Sequence, residues 1–182
     1  MDESQMARLR GIGFGPVLAQ RAAQLRDTLP LNAEPMRVLE VHRETLRLHR
    51  GDAQCSARVM PRLRRELEEN GTALAVGDWV LASGDAFGAR WVHAQVPPIS
   101  HIARRDGDGR CHSIVSNVDT ALLVMGLDED FNLRRLERYL ALVHDSAVQP
   151  VVVLSKADVV AVTPRLSRVQ SARRPRLRAP HG

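Results

Sequence analysis

Val151-Val152-Val153-Leu154 runs directly into Ser155-Lys156-Ala157-Asp158. Four consecutive apolar residues, three of them β-branched, predict a strand buried on both faces, as in a parallel sheet. Upstream, Thr120–Met125 (TALLVM) is a second continuous apolar run. Between the two, Leu133, Leu136, Leu140 and Val143 recur at helical spacing, while Arg134, Arg135, Glu137 and Arg138 fall elsewhere. The spacing predicts a helix over about 133–145, with Asn132 as its N-cap. Strand, helix and strand in this order predict one βαβ unit of a parallel sheet.

Towards the N-terminus the pattern changes. Met36–His42 alternates in part, Leu46 and Leu48 alternate around Arg47, and Gly51-Asp52 marks a turn. Cys55–Met60 places Cys55, Ala57 and Val59 on one face, and Pro61 suits the first position of a helix over 61–69. A fourth strand starts at Gly77-Asp78-Trp79-Val80-Leu81, and Ala89–Val96 is a fifth, ended by Pro97-Pro98. Five short strands with a helix between the third and fourth predict an OB-type β-barrel over 36–105, with Trp79 and Trp91 filling its core. Residues 1–35 hold a short helix at Pro16–Arg26, with Val17, Leu18, Ala22 and Leu25 roughly on one side, and are expected to form an N-terminal arm of low order. Asp106-Gly107-Asp108-Gly109-Arg110 is expected to be a flexible loop and a domain boundary. The fold class is thus an OB-type β-barrel followed by a partial α/β domain over 106–158.

The chemistry lies at 155–158. A strand that ends in S-K-x-D matches the [N/T/S]-K-x-D element that GTP-binding proteins place at the carboxyl end of a parallel strand, where open α/β sheets bind ligands. Guanine offers two donors, N1–H and the 2-amino group, and one carboxylate accepts both. Asp158 takes that role. The aliphatic stem of Lys156 would lie along the base or sugar. Ser155 stands where Asn is commoner, and either supports the loop or reaches the base edge. The bland alternative is a turn matched by chance. The sequence has 25 arginines and this single lysine, so no G-x-x-x-x-G-K-[S/T] phosphate cradle is present in it. In an ordinary small GTPase that cradle comes first. Here either the motif is accidental or the order is permuted.

The longer phrases resemble one family, the ribosome small-subunit-dependent GTPases (RsgA, also called YjeQ). LRGIGFGPVLAQ, RVLEVHRETLRLHRGD, GDWVLA, SHIARRDGDGR, SNVDTALLVMGLDEDFNLRRLERYLALV and PVVVLSKAD carry the likeness, over about residues 8–159. The resemblance implies an N-terminal OB fold, a circularly permuted GTPase domain in which the guanine motif precedes the P-loop, and a C-terminal zinc-binding domain. It implies a role in late maturation of the small ribosomal subunit, with rRNA contact and GTP hydrolysis. Only Ser155, Lys156 and Asp158 match its nucleotide-binding positions. GTP or GDP is the implied ligand, weakly held or not at all. Magnesium and zinc are implied only for complete family members. The 106–158 segment is accordingly expected to be the guanine-motif part of the permuted domain, truncated before the P-loop, and this chain alone is expected to be inactive in hydrolysis.

Residues 159–182 do not resemble the family and keep neither period. They contain six arginines and no acid, whereas residues 1–158 hold 20 basic and 21 acidic groups, so the net charge of +5 belongs to this basic tail. The tail is expected to be poorly ordered, as an out-of-frame end or a premature stop would make it. RNA contact must therefore rest on local clusters, Arg62, Arg64 and Arg65 with Arg104 and Arg105. Glu66, Glu68 and Glu69 adjoin the first cluster, which leaves a plain solvated face as the alternative. Aromatic residues are only 3% of the sequence, against base stacking as the main contact. His93, His101, Cys111 and His112 carry metal-ligating atoms, but no spaced cysteine pair exists and no metal site is expected. No apolar run reaches the length of a membrane span, no secretory leader is visible, and two cysteines fit a reducing compartment. The chain is expected to be a cytoplasmic monomer whose partner is the small ribosomal subunit and its rRNA. A stand-alone OB-type RNA-binding module and a non-functional fragment are the competing readings.

Overall fold

The computed structural model describes residues 3–105 and 111–158, with side chains at all of these except Arg105, Cys111 and His112. The expected 106–110 loop and 159–182 tail lie outside the described residues. The chain divides into two compact units, Met1–Val118 and Asp119–Gly182.

The first unit is built on a closed barrel. Its strands are β1 (Glu34–Val41), β2 (Leu46–His49), β3 (Gln54–Val59), β4 (Trp79–Gly84) and β5 (Arg90–Val96), closed in the order β1-β2-β3-β5-β4. A helix, Pro61–Glu69 (labelled α3 in chain order), joins β3 to β4. Period-two alternation turns Met36, Val38, Leu46, Leu48, Val80 and Ala82 inward, where Ala57, Leu63, Leu74 and Val92 complete the core. The single parallel pairing, β3 with β5, closes the barrel through Arg58↔Trp91 and Val59↔Val92.

The described part of the expected arm, residues 3–35, is not of low order but packs on the barrel. Helices α1 (Glu3–Gly11) and α2 (Pro16–Leu25) bring Leu9, Phe14, Leu18 and Ala22 against Ala33, Trp79, Leu81 and Val96 in a second core. Trp79 therefore fills this outer core and not the barrel interior, because it alternates with the inward Val80. Its ring lies 4.6 Å from that of Phe14, tilted by 50°. Trp91 is half-buried and donates Nε1–H to Asp85 at 3.0 Å. With the barrel inside and the helices outside, residues 79–83 of β4 are buried throughout.

The segment after the barrel is a hairpin, β6 (His101–Arg105) paired antiparallel with β7 (Cys111–Ser116). Its base is tied to the barrel, so the compact unit runs on to Val118 and does not end near 105. Ser116 N–H donates to Val76 O at 2.9 Å, Asn117 Nδ2 donates to Gly77 O at 3.0 Å, and Arg37 Nη2 donates to Asn117 O at 3.0 Å. Gly77 has φ +88°, and a Cβ there would stand 2.0 Å from Ser116 O. Only glycine fits this approach.

The second unit is the expected βαβ: β8 (Thr120–Gly126), α4 (Leu133–Asp145) and β9 (Gln149–Ser155), with β8 and β9 parallel in register from Thr120↔Gln149 to Gly126↔Ser155. Asn132 caps α4, its Oδ1 accepting from Arg135 N–H at 3.0 Å. Leu136 and Leu140 of α4 pack on Leu123, Met125, Val152 and Leu154. The strands are not buried on both faces among the described residues. Leu122, Val124 and Val153 point away from α4 and are exposed.

Candidate functional site

The parallel register sets the ends of β8 and β9 side by side, with Gly126 opposite Ser155. Leu127 N–H donates to Ser155 O at 3.0 Å and binds the two outgoing loops together. Ser155 Oγ donates to Met125 O at 3.4 Å, a long bond that fits the loop-supporting role of the two open to it. Lys156 then leaves the strand with φ +59°, a left-handed conformation that L residues seldom adopt and that gathers at functional turns.

Its ammonium is paired with the Asp128 carboxylate, from the loop after β8. The hydrogen bond from Lys156 holds the Asp128 carboxyl below the usual carboxylate range, and the same bond holds Lys156 above the usual lysine value. Asp158 is exposed, and among the described residues no hydrogen bond to its carboxylate is formed. The β9 terminus thus joins a supporting hydroxyl, an anchored lysine stem and an open carboxylate at the carboxyl edge of a parallel pair. Sequence reasoning missed Asp128. A turn aspartate is common, and only the register of β8 with β9 brings it to Lys156.

The arginines are not gathered into one site by any described contact. Arg62, Arg64 and Arg65 lie exposed on α3, whose Leu63 is buried, and share the outer surface with Glu66, Glu68 and Glu69. Arg104 is exposed on β6, and the Arg105 side chain is outside the described ones. Clefts on the first unit include two beside the barrel strand β1. One of ≈ 250 Å³ lies between the β1–β2 loop and α3, and one of ≈ 570 Å³ includes Arg37, His49 and Gly77. Neither includes a residue of the S-K-x-D turn.

Among the described residues no group of His, Cys, Asp and Glu is arranged to hold a metal. His93 lies 2.8 Å from Ser83 Oγ, and burial lowers its pKa. His101 sits between Ser116 Oγ at 2.9 Å and Ser113 Oγ at 3.3 Å. No helix of the described residues is long and apolar enough to cross a membrane.

Residues 97–175 match the RsgA GTPase family model, so the likeness runs past 159, where the sequence was expected to leave the family. The chain is 40% identical over 139 residues to the small ribosomal subunit biogenesis GTPase RsgA of Opitutus terrae, covering 70% of this chain and 38% of that protein. It is 40% identical over 129 residues to RsgA of Xanthomonas oryzae pv. oryzae, covering 69% and 34%. In fold it is similar to YloQ, a circularly permuted GTPase, with a TM-score of 0.52 at 16% identity over 78% of this chain and 47% of that one. It is also similar to YjeQ from Thermotoga maritima, with a TM-score of 0.55 at 15% identity over 76% and 46%. The chain spans under half the length of each of these proteins. Over the length it shares with them, the chain is similar to the RsgA family and has the fold of a circularly permuted GTPase with an OB-type barrel.

Proposed function

We propose that these residues supply the barrel and the guanine-reading edge of a cytoplasmic GTPase acting in late maturation of the small ribosomal subunit. The observation that carries the reading is the end of β9, where Asp158 stands exposed beside the anchored stem of Lys156. A guanine laid on that stem would present N1–H and its 2-amino group to the Asp158 carboxylate, while Ser155 supports the turn from behind. GTP and GDP share this base, so either would fit. The 182 residues contain no phosphate cradle, and their contribution is base selection and not phosphoryl transfer. Magnesium would accompany the phosphates and zinc the Cys/His cluster of a complete family member, each on residues other than those described. The exposed Arg62, Arg64, Arg65 and Arg104, with Arg105, would touch rRNA phosphates, positioning the barrel on the subunit without reading sequence. The chain would act as a monomer.

Saturation-transfer NMR with GDP and ADP tests the reading on the 182-residue chain. Adenine offers an acceptor at N1 and lacks the 2-amino donor. Hydrogen bonds to a charged group are worth about 1.5–3 kcal/mol each, so GDP should be preferred by at least about tenfold. Equal signals from the two nucleotides would reduce S-K-x-D to an ordinary turn.

A further inference from the structure

Lys156 is the only lysine in the sequence, and its ammonium is held by a built contact. Asp128, two residues beyond the end of β8, presents Oδ2 to Lys156 Nζ. Three features keep the carboxylate in place. The Leu127 N–H bond to Ser155 O draws its loop against β9. Asp130 N–H donates to Asp128 Oδ1 at 3.3 Å, closing the loop on the same side chain. Gly126 leaves the necessary space, since a Cβ there would stand 2.5 Å from Asp128 Oδ1 and 3.5 Å from Lys156 Cδ. The stem of Lys156 consequently runs past Gly126, and its ammonium points back to the β8 loop.

We propose that Asp128 is the positioning residue of the guanine site, holding the Lys156 stem beside Gly126 as a preformed apolar wall for a purine whose edge Asp158 reads. This rests on the guanine reading given above. A free lysine loses much rotamer freedom when it orders against a ligand, and a stem tethered in advance loses less. The pairing also explains the residue type. Here a compact ammonium on a tetramethylene stem pairs at its tip and leaves the methylenes for the base, whereas the planar fork of an arginine spreads its donors along the side chain's end. Gly126 is then part of the site, although it carries no side chain.

Because the lysine is unique, labelling lysine with ¹³C at Cε gives one side-chain resonance in the 182-residue chain. Its titration and its response to GDP can be followed with no assignment problem. In Asp128→Asn, which keeps the shape of the side chain, the titration midpoint should fall, as loss of the partner that raises it requires. The GDP dissociation constant should rise about two- to fivefold, the scale of one lost exposed charge pair, with the preference for GDP over ADP retained. Asp128→Glu should restore part of the affinity. Gly126→Ala should mimic Asp128→Asn by displacing the carboxylate.

If Asp128→Asn shifts the lysine titration but leaves GDP affinity and the GDP response of the Cε resonance unchanged, the pair is a surface ion pair only and the proposal is overturned. If the wild-type chain shows no preference for GDP over ADP, the guanine reading itself has failed, whatever Asp128 does to the lysine. An unchanged lysine titration in Asp128→Asn would also overturn the proposal, by showing that the pair does not form.

Discussion

Phe14→Ala is the sharpest perturbation of the N-terminal helices. Phe14 is 1% exposed and stands on Trp79, which is fully buried, with Leu9 and Leu18 beside it. If these helices belong to the folded body, removing the ring leaves a cavity in a closed core. Phe→Ala at such a site costs about 3–5 kcal/mol, out of a total of about 5–15 kcal/mol for an ordinary domain. The same substitution at Phe87, which is 96% exposed, should change stability by no more than about 0.5 kcal/mol. Both tryptophans, Trp79 and Trp91, lie in the first unit. Urea unfolding followed by tryptophan fluorescence therefore reports that unit alone. Phe14→Ala should move the midpoint strongly and shift the native emission to the red, because Trp79 loses its cover. A change within about 1 kcal/mol of that in Phe87→Ala, with native emission unmoved, would refute the reasoning and return α1 and α2 to the status of a loose arm.

Gly77→Ala should destabilise by more than about 2 kcal/mol, since it adds a Cβ 2.0 Å from Ser116 O at φ +88°. Gly88→Ala, at φ +82° in open space, should lose only the backbone strain of about 1–2 kcal/mol; thermal melts of the two variants compare them. Asp78 is fully buried, with Oδ2 accepting from Ala75 N–H and Gln95 Nε2 at 2.8 Å each, and burial raises its pKa. The native state then holds its proton where the unfolded chain has lost it, so Asp78 lowers stability as pH rises from the ordinary carboxylate range through its raised native value. Asp78→Asn keeps an accepting oxygen, and its stability measured from pH 4 to pH 8 should lack that fall relative to wild type. Neutralising Arg62, Arg64 and Arg65 together should reduce the slope of log K against log salt for rRNA by about 0.7–0.9 per lost phosphate contact. An unchanged slope in a filter-binding titration would make α3 a solvated face.

The parts legible in the sequence are those in which a local period meets a local partner. Leu46 and Leu48 alternate and face the barrel core, Pro61 starts α3, and Asn132 caps α4. What the sequence hid depends on contacts far apart along the chain. Leu9 and Phe14 show no barrel pattern, because their partner is the outer face of β4, some 65 residues on. The apolar character of Trp79 agreed with either face of the barrel, and only the β1–β4 register selects the outer one. Asp106-Gly107-Asp108-Gly109 has the composition of a domain boundary, yet β6 before it and β7 after it pair with each other. At the candidate site, the lysine and its carboxylate neighbour at 158 were legible from spacing. Asp128 was not, since 28 residues separate it from Lys156 and the parallel register alone joins them.

The most direct test of guanine reading is a base exchange at Asp158. In Asp158→Asn the amide keeps one acceptor for N1–H and gains a donor where the carboxylate could only accept. Guanine then meets its 2-amino group with a donor, while xanthine offers a carbonyl oxygen at that position. Ligand-observed NMR competition between GDP and xanthosine diphosphate should show wild type preferring GDP. Asp158→Asn should reverse the order, with GDP weakened by about tenfold or more for each lost bond to the charged group. The same preference in both proteins, or none in either, would contradict the assignment of Asp158 as the residue that reads the base.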